Sequence, residues 1–500
     1  MTERANHKWW TLFAMCFALF MIMLDNTIVN VALPTIQREL GASPANLEWV
    51  VNGYVVTFAA LILLGGKLGD RFGRKRMFVV GLLLFTLFSA LCALAETDTQ
   101  LIIARCLQGT GAALMNPLSL SILVSAFPRP QIPMAIGVWA GISGLGIAIG
   151  PVVGGVLVEN FGWASVFWVN VPIGIIAVGV CLWAVLESRD PTATRLDIVG
   201  TVLVTASLLA LTFGLIKTNE HSWTSPFIVS LLGGAVALLV IWVWWEMRVS
   251  EPMVPLSFFR IRQFTAANAV AVLVGVTLFG SLYFVTLYLQ NIKGYSALEA
   301  GVRSMPMTLI IMFVAPIAGR LNGKIGPRPL MTLGMLLASG GMAGLAQLTE
   351  SSSYNGMWPF FVLIGAGIAL TMPALSGAAM SAVDPAKSGI ASGVLNAARQ
   401  IGGAVGIAVM GSVVAKLASD DFGNAPKQLE QLVVGGQTRL VGQLAGPAAE
   451  SHAAHAFVTG MHGAMWAGAG LTLLAAAVSF FGLRSGAMES HAHGTAPIEA

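Results

Sequence analysis

Charge is what this sequence has least of. Only 10% of its 500 residues are Asp, Glu, Lys or Arg, against about 25% in an ordinary soluble domain, and mean hydropathy is +0.79. A water-exposed globule is excluded, and the chain reads as an integral membrane protein. Cysteine is scarce too: Cys16, Cys92, Cys106 and Cys181 all lie inside apolar runs, which points to small core residues rather than disulfides or metal ligands. No G-x-x-x-x-G-K-[ST] occurs, because Gly66-Lys67 is followed by Leu68 and Gly323-Lys324 by Ile325. Without a P-loop there is no such ATP site, and energy must come from elsewhere. The absence of H-E-x-x-H and G-x-S-x-G weakens a protease or lipase reading. A net charge of +4 with no basic cluster beyond one short loop gives no sign of a nucleic-acid partner.

What is abundant is apolar length. Fourteen stretches are near or above the roughly 20 residues a helix needs to cross a bilayer: about 9–33, 47–66, 77–95, 100–125, 134–158, 163–186, 196–216, 225–246, 265–290, 301–321, 329–348, 357–382, 387–416 and 456–483. The first is too long for a signal-peptide core, has no small-residue cleavage site after it, and is expected to stay as an anchor. With the N-terminus inside, eighteen of the 27 Lys and Arg fall on the inner side and seven outside, so both termini are expected in the cytoplasm. Arg105 and Arg399 remain as cations within the membrane.

Asp25 interrupts the first stretch. A carboxylate at that depth costs about 2.5–3.5 kcal/mol on insertion scales and marks a functional site with a partner; the plainer reading is an acid satisfied by a neighbouring helix or reaching the interface. Asp25 lies about 13 Å from the outer end of its helix and Arg105 about 8 Å from the outer start of its own, so the two can meet. A nearby cation favours the ionised acid and desolvation the neutral one, as a proton-coupling group requires. Arg105 as a structural hydrogen-bond hub stays open as the alternative. Arg399 is about 18 Å into its span, flanked by Asn396 and Gln400; it can bind a polar group of a substrate or pair with backbone carbonyls. Asn26, Asn30, Trp49, Tyr54, Asn116, Trp139, Tyr283, Tyr288 and Gln290 are the remaining candidates for a substrate cavity, aromatics around a few polar groups making an adaptable pocket. His452, His455 and His462 lie in or beside an outer loop of about 417–455, and no metal site is expected there.

The chain repeats itself. Gly66-Lys-Leu-Gly-Asp70-Arg71-Phe-Gly73-Arg74-Lys75-Arg76 recurs in degraded form as Gly319-Arg-Leu-Asn-Gly323-Lys324-Ile-Gly326-Pro327-Arg328-Pro329, and Gly137, Gly141, Gly150 and Gly154 match Gly389, Gly393, Gly402 and Gly406 at a nearly identical offset. The expected fold is all-α: a polytopic protein of two six-helix bundles repeated in parallel, 9–186 and 265–483, with two extra spans in a linker, 187–264, and a cytoplasmic tail, 484–500. Asp70 is placed to meet the start of the thirteenth span near Asp384-Pro385-Ala386-Lys387-Ser388, since a helix N-terminus favours an anion; the alternative is a purely basic positive-inside anchor. Gly146, Gly150, Gly154 and Gly155, with Pro151 among them, suggest a close-packed seam between the halves, moving or static.

The loop at Gly66, Leu68, Asp70, Arg71, Gly73, Arg74 and Lys75 resembles the signature of the major facilitator superfamily. Leu24-Asp25-Asn26-Thr27 through Pro34 in the first span, Arg105-Cys-Leu-Gln108-Gly109 in the fourth and Gly146-x-x-x-Gly150-Pro151-x-x-Gly154-Gly155 in the fifth narrow it, together with fourteen spans, to its drug:proton antiporters. The resemblance implies a multidrug efflux transporter rather than an enzyme: export of lipophilic or amphipathic small molecules from a bacterial inner membrane, energy from a proton gradient, no cofactor, and the Asp70 loop as a conformational latch. A monomer is the expected unit, and the 417–455 loop is the place a periplasmic adaptor would dock. Uptake of a nutrient by the same fold is the competing transport reading, and a membrane-embedded lipid-modifying enzyme or sensor the competing class.

Overall fold

Lipid offers no hydrogen bonds, so a chain this apolar must satisfy its backbone internally, and helices do so within each segment. The computed structural model describes residues 2–42, 44–189, 197–217, 221, 223–250, 252–423 and 426–483; the expected tail, 484–500, lies outside them. Among the described residues every regular element is helical. The N-terminal bundle contains α1 (Thr2–Leu40), α2 (Pro44–Phe72), α3 (Arg74–Ala93), α4 (Asp98–Ala126) and α5 (Ile132–Phe161), closed by a sixth crossing that is split into α6 (Ser165–Trp168) and α7 (Asn170–Ala184). The linker helices are α8 (Ile198–Lys217) and α9 (Pro226–Glu246). The C-terminal bundle contains α10 (Arg262–Leu287), continued by one π-helical turn at Tyr288–Ile292, then α11 (Ala297–Ile325), α12 (Pro327–Leu345), α13 (Tyr354–Ser381), α14 (Ser388–Phe422), the short α15 (Lys427–Val434) and α16 (Thr438–Ala445), and α17 (Pro447–Gly482).

Twelve crossings among the described residues are long and apolar enough to span a membrane. With α5 and α12, of 30 and 19 residues, the long helices number fourteen, as the apolar stretches predict. The loop that carries Asp70 is shorter than its glycines suggest. Helix α2 runs on through Gly66 and Gly69, and Gly73 alone, at φ 106°, separates it from α3. Gly326, at φ 81°, turns α11 into α12 in the same way, a backbone region that glycine enters without strain.

One expectation is overturned: the described residues of 417–455 are mostly helical rather than loop. Helix α14 continues to Phe422, and α15, α16 and the first turns of α17 close around Ala418, Val433, Val441, Ala453 and Ala456. Helices α15 and α16, of eight residues each, are too short to cross a bilayer, yet each buries one apolar face. The three histidines therefore stand on α17. His455 Nδ1 is 3.0 Å from Glu350 Oε1, His452 Nε2 is 3.0 Å from the Asp421 carbonyl, and His462 meets the Leu348 carbonyl. No group of three metal-ligating side chains occurs among the described residues.

The linker helices pack on each other, and α8 leans on both α2 and α14, one from each bundle. Their shared end is held by two buried acids. Asp197 accepts the Gly200 N–H at 2.8 Å and the Trp245 indole N–H at 3.0 Å, and Glu246 accepts the N–H groups of Met253 and Val254 at 3.2 and 3.3 Å. Lys67 of α2 donates to the Pro252 carbonyl at 3.2 Å, tying the linker to the N-terminal bundle.

Candidate functional site

Five elements of the N-terminal bundle deliver polar groups to one sealed point. Asp25 of α1 is fully buried. Its Oδ2 receives Arg105 Nη1 at 2.6 Å, and its Oδ1 receives Gln108 Nε2 at 3.0 Å and Asn170 Nδ2 at 2.9 Å. Arg105 and Gln108 are one turn apart on α4 and so share a face. Arg105 keeps partners of its own: Nε donates to the Val50 carbonyl at 3.0 Å, Nη1 also donates to Gln108 Oε1 at 2.7 Å, and the Tyr54 ring lies 4.3 Å from the guanidinium carbon. Asn170 donates as well to Ser89 Oγ at 3.1 Å. Arg105 is thus both the ion-pair partner of Asp25 and a hydrogen-bond hub between α2 and α4. Gln108 and Asn170 are not among the residues expected at this centre; the i, i+3 spacing from Arg105 points to Gln108, whereas Asn170 is recognisable only as an amide inside an apolar run.

At the opposite end of the membrane helices, Asp70 stands at the junction of the bundles. Its Oδ1 and Oδ2 accept the N–H groups of Gly389 and Ile390 at 3.1 and 2.8 Å, at the start of α14, where an anion complements the helix dipole. Arg74, one turn further along the chain, binds Asp70 Oδ1 at 2.7 Å and caps the carbonyls of Pro385 and Ala386 at 3.1 and 2.6 Å. Arg71 instead lies over the Phe72 ring. Gly66 makes the approach possible: a Cβ there would overlap the Gly389 carbonyl. The other junction, between α5 and α11, repeats this in mirror order, a Cβ on Gly137 meeting the Ala315 carbonyl at 2.6 Å and the Gly319 Cα at 3.0 Å. Gly319 is the repeat of Gly66 and Gly137 that of Gly389. The ionic part is not repeated, since Gly323 and Pro327 occupy the positions of Asp70 and Arg74.

The glycine seam is relocated by the same contacts. Gly146 faces Phe20 and Met23, Gly150 faces Thr27, and Gly154 faces Ile28, all on α1. These glycines pack the N-terminal bundle internally, against the stretch of α1 that carries Asp25. The face of α5 that meets the other bundle carries Gly137, Gly141 and Gly144. Gly155 is buried on α5, and the Pro151 side chain lies outside the described residues. Small residues at two angular positions of one helix allow close contact with two neighbours at once.

Several residues expected in a cavity are sealed. Tyr54 belongs to the Asp25 centre; Trp139 donates to Ser119 Oγ at 3.1 Å; Asn116 is buried beside them; and the Tyr288 hydroxyl donates to the Thr349 carbonyl at 2.6 Å. Each is enclosed by helix packing that no single stretch reveals. Asn26, Gln290 and Arg399 are half-buried, while Asn30 and Tyr283 are exposed. Arg399 donates to Asn396 Oδ1 at 2.5 Å.

Two bundles related by a sequence repeat, with junctions at α2–α14 and α5–α11, have a counterpart among known families. The profile of the Major Facilitator Superfamily matches residues 15–407. The chain belongs to that superfamily. This major facilitator transporter, a multi-pass membrane protein and not an enzyme, is 34% identical over 493 residues to the Tetracenomycin C resistance and export protein of Streptomyces glaucescens, spanning 95% of this chain and 92% of that one. It is 37% identical over 416 residues to the Methylenomycin A resistance protein of Streptomyces coelicolor, spanning 82% of this chain and 87% of that one. Its fold matches that of the proton:xylose symporter XylE with a TM-score of 0.63 at 12% identity, over 97% of this chain and 98% of that one.

Proposed function

We propose that this protein is a proton-coupled antiporter of a bacterial cytoplasmic membrane, with both termini inside, exporting lipophilic or amphipathic small molecules by alternating access. Support for export comes from relatives named for antibiotic resistance and export. The observation that carries proton coupling is the Asp25 centre. A carboxylate with no exposed surface, held by Arg105, Gln108 and Asn170, exchanges no proton until the helices around it move. When it does take up a proton, Arg105 is not stranded, because the Val50 carbonyl, Gln108 and the Tyr54 ring remain. Proton binding is thereby tied to a rearrangement of α1 against α4, and the Asp70–α14 contact closes the cytoplasmic side meanwhile. One proton entering supplies about 2.3 kcal/mol per 100 mV and about 1.4 kcal/mol per pH unit.

The test is reconstitution into liposomes with an imposed pH gradient, following internal pH while drug-like compounds are added. Wild type should move protons against compound. Asp25→Asn should bind compound yet move none against the gradient; proton exchange at the wild-type rate in that variant would end the proposal.

A further inference from the structure

Arg399 is the charge that the Asp25 centre leaves over. It sits about a third of the way along α14, half-buried, and among the described residues no carboxylate pairs with it; its partner is the amide oxygen of Asn396. Asn396 lies on the same face of α14 as Gly389 and Gly393, which pack on Asp70 and on Ile62 and Leu63 of α2, while the Arg399 backbone packs on Gly275 of α10, so the bond to Asn396 holds the guanidinium toward the α2 side of α14 rather than toward lipid. The deep charges on the N-terminal side cancel, Asp25 being bound by Arg105. Among the described residues Arg399 is therefore the deep cation with no carboxylate bound to it.

At the far mouth of the C-terminal bundle the cations have acids beside them, Arg303 Nη2 donating to Glu299 Oε1 at 2.6 Å. Arg303 stacks on Tyr295 at 3.6 Å and Tyr354 at 5.3 Å. Lys293, ten residues earlier, donates to the Glu350 carbonyl at 2.9 Å; burial, and then the neighbouring Arg303, push its ammonium below the usual lysine range. Resting on the proposed export function, we infer that the substrates are amphipathic monoanions, an aromatic or alicyclic body bearing one carboxylate or phenolate, and that Arg399 with Asn396 binds the acidic group. A guanidinium offers a planar fork to a carboxylate, and a cation in a low-dielectric site attracts an anion far more than it does in water. The charge balance favours export. An anion leaving and a proton entering move charge in the same sense, so the membrane potential acts on both, about fiftyfold for each per 100 mV.

The probes are dansylglycine (anion), dansylamide (neutral) and dansylcadaverine (cation), titrated by fluorescence into the purified full-length protein and then offered to proteoliposomes under a pH gradient. Wild type should bind dansylglycine at least tenfold more tightly than the other two. Arg399→Gln should bring the three within about threefold, and Arg399→Lys, which keeps the charge, should hold most of the preference; melting curves show that both variants are folded. A wild type that binds dansylcadaverine as tightly as dansylglycine, or a preference that survives Arg399→Gln, overturns the inference. Preferential binding of dansylglycine without pH-driven transport would support the anion site and overturn only proton coupling.

Discussion

Asp70 Oδ2 accepts the backbone N–H of Ile390 at 2.8 Å, although the residues stand 320 positions apart. One carboxylate thus joins the two bundles through the first free amides of a helix, and Arg74 returns the chain's own charge to the carbonyls just before them. Closure at this end depends on a charge meeting a dipole and on two glycines with nothing between them.

Removing the charge should loosen closure without unfolding either bundle. Asp70→Asn is expected to weaken the closed arrangement by about 1–3 kcal/mol. In a background without the four native cysteines, a single cysteine at Ser392, buried in wild type, should react with a maleimide at least fivefold faster in the variant.

Steric closure can be tested separately. Gly66→Ala would drive a methyl into the Gly389 carbonyl, whereas a Cβ on Gly323 comes no nearer than 3.5 Å to Pro133. Transport should fall more than tenfold in Gly66→Ala and stay within twofold of wild type in Gly323→Ala.

The Asp25–Arg105 pair should behave as a buried ion pair. Arg105→Gln strands the carboxylate and should cost about 3–5 kcal/mol of stability, read as a lowered melting temperature in detergent. Adding Asp25→Asn should recover part of that loss, a coupling that independent residues would not show.

Glu246 satisfies two backbone amides of the linker. Glu246→Ala leaves them unpaired at about 1–3 kcal/mol and should speed proteolysis within 247–256 while the bundles resist.

Tyr288 is anchored by its hydroxyl to the Thr349 carbonyl. Tyr288→Phe should lower stability by about 0.5–1.5 kcal/mol and leave the relative rates for different compounds unchanged, as expected of a packing residue outside the substrate path.

Much of this was legible in one dimension, and the part that was not follows a pattern. Apolar run length located the fourteen long helices, and counting rise along them placed Asp25 and Arg105 at matching depth, because helix geometry converts residue number directly into height. The glycine repeat likewise announced two repeated bundles. Height is not azimuth. In a lipid-embedded helix nearly every face is apolar, so the periodicity that separates core from surface in a soluble protein is weak. Nothing local says that Gly150 faces Thr27 of its own bundle while Gly137 faces Gly319 of the other, that Tyr54 covers an arginine instead of lining a cavity, or that Asn170 completes the ring of donors around Asp25. The linear order determined which groups lie in the membrane and how deep; only helix-against-helix packing decided which of them touch, and so which charge was neutralised and which was left over.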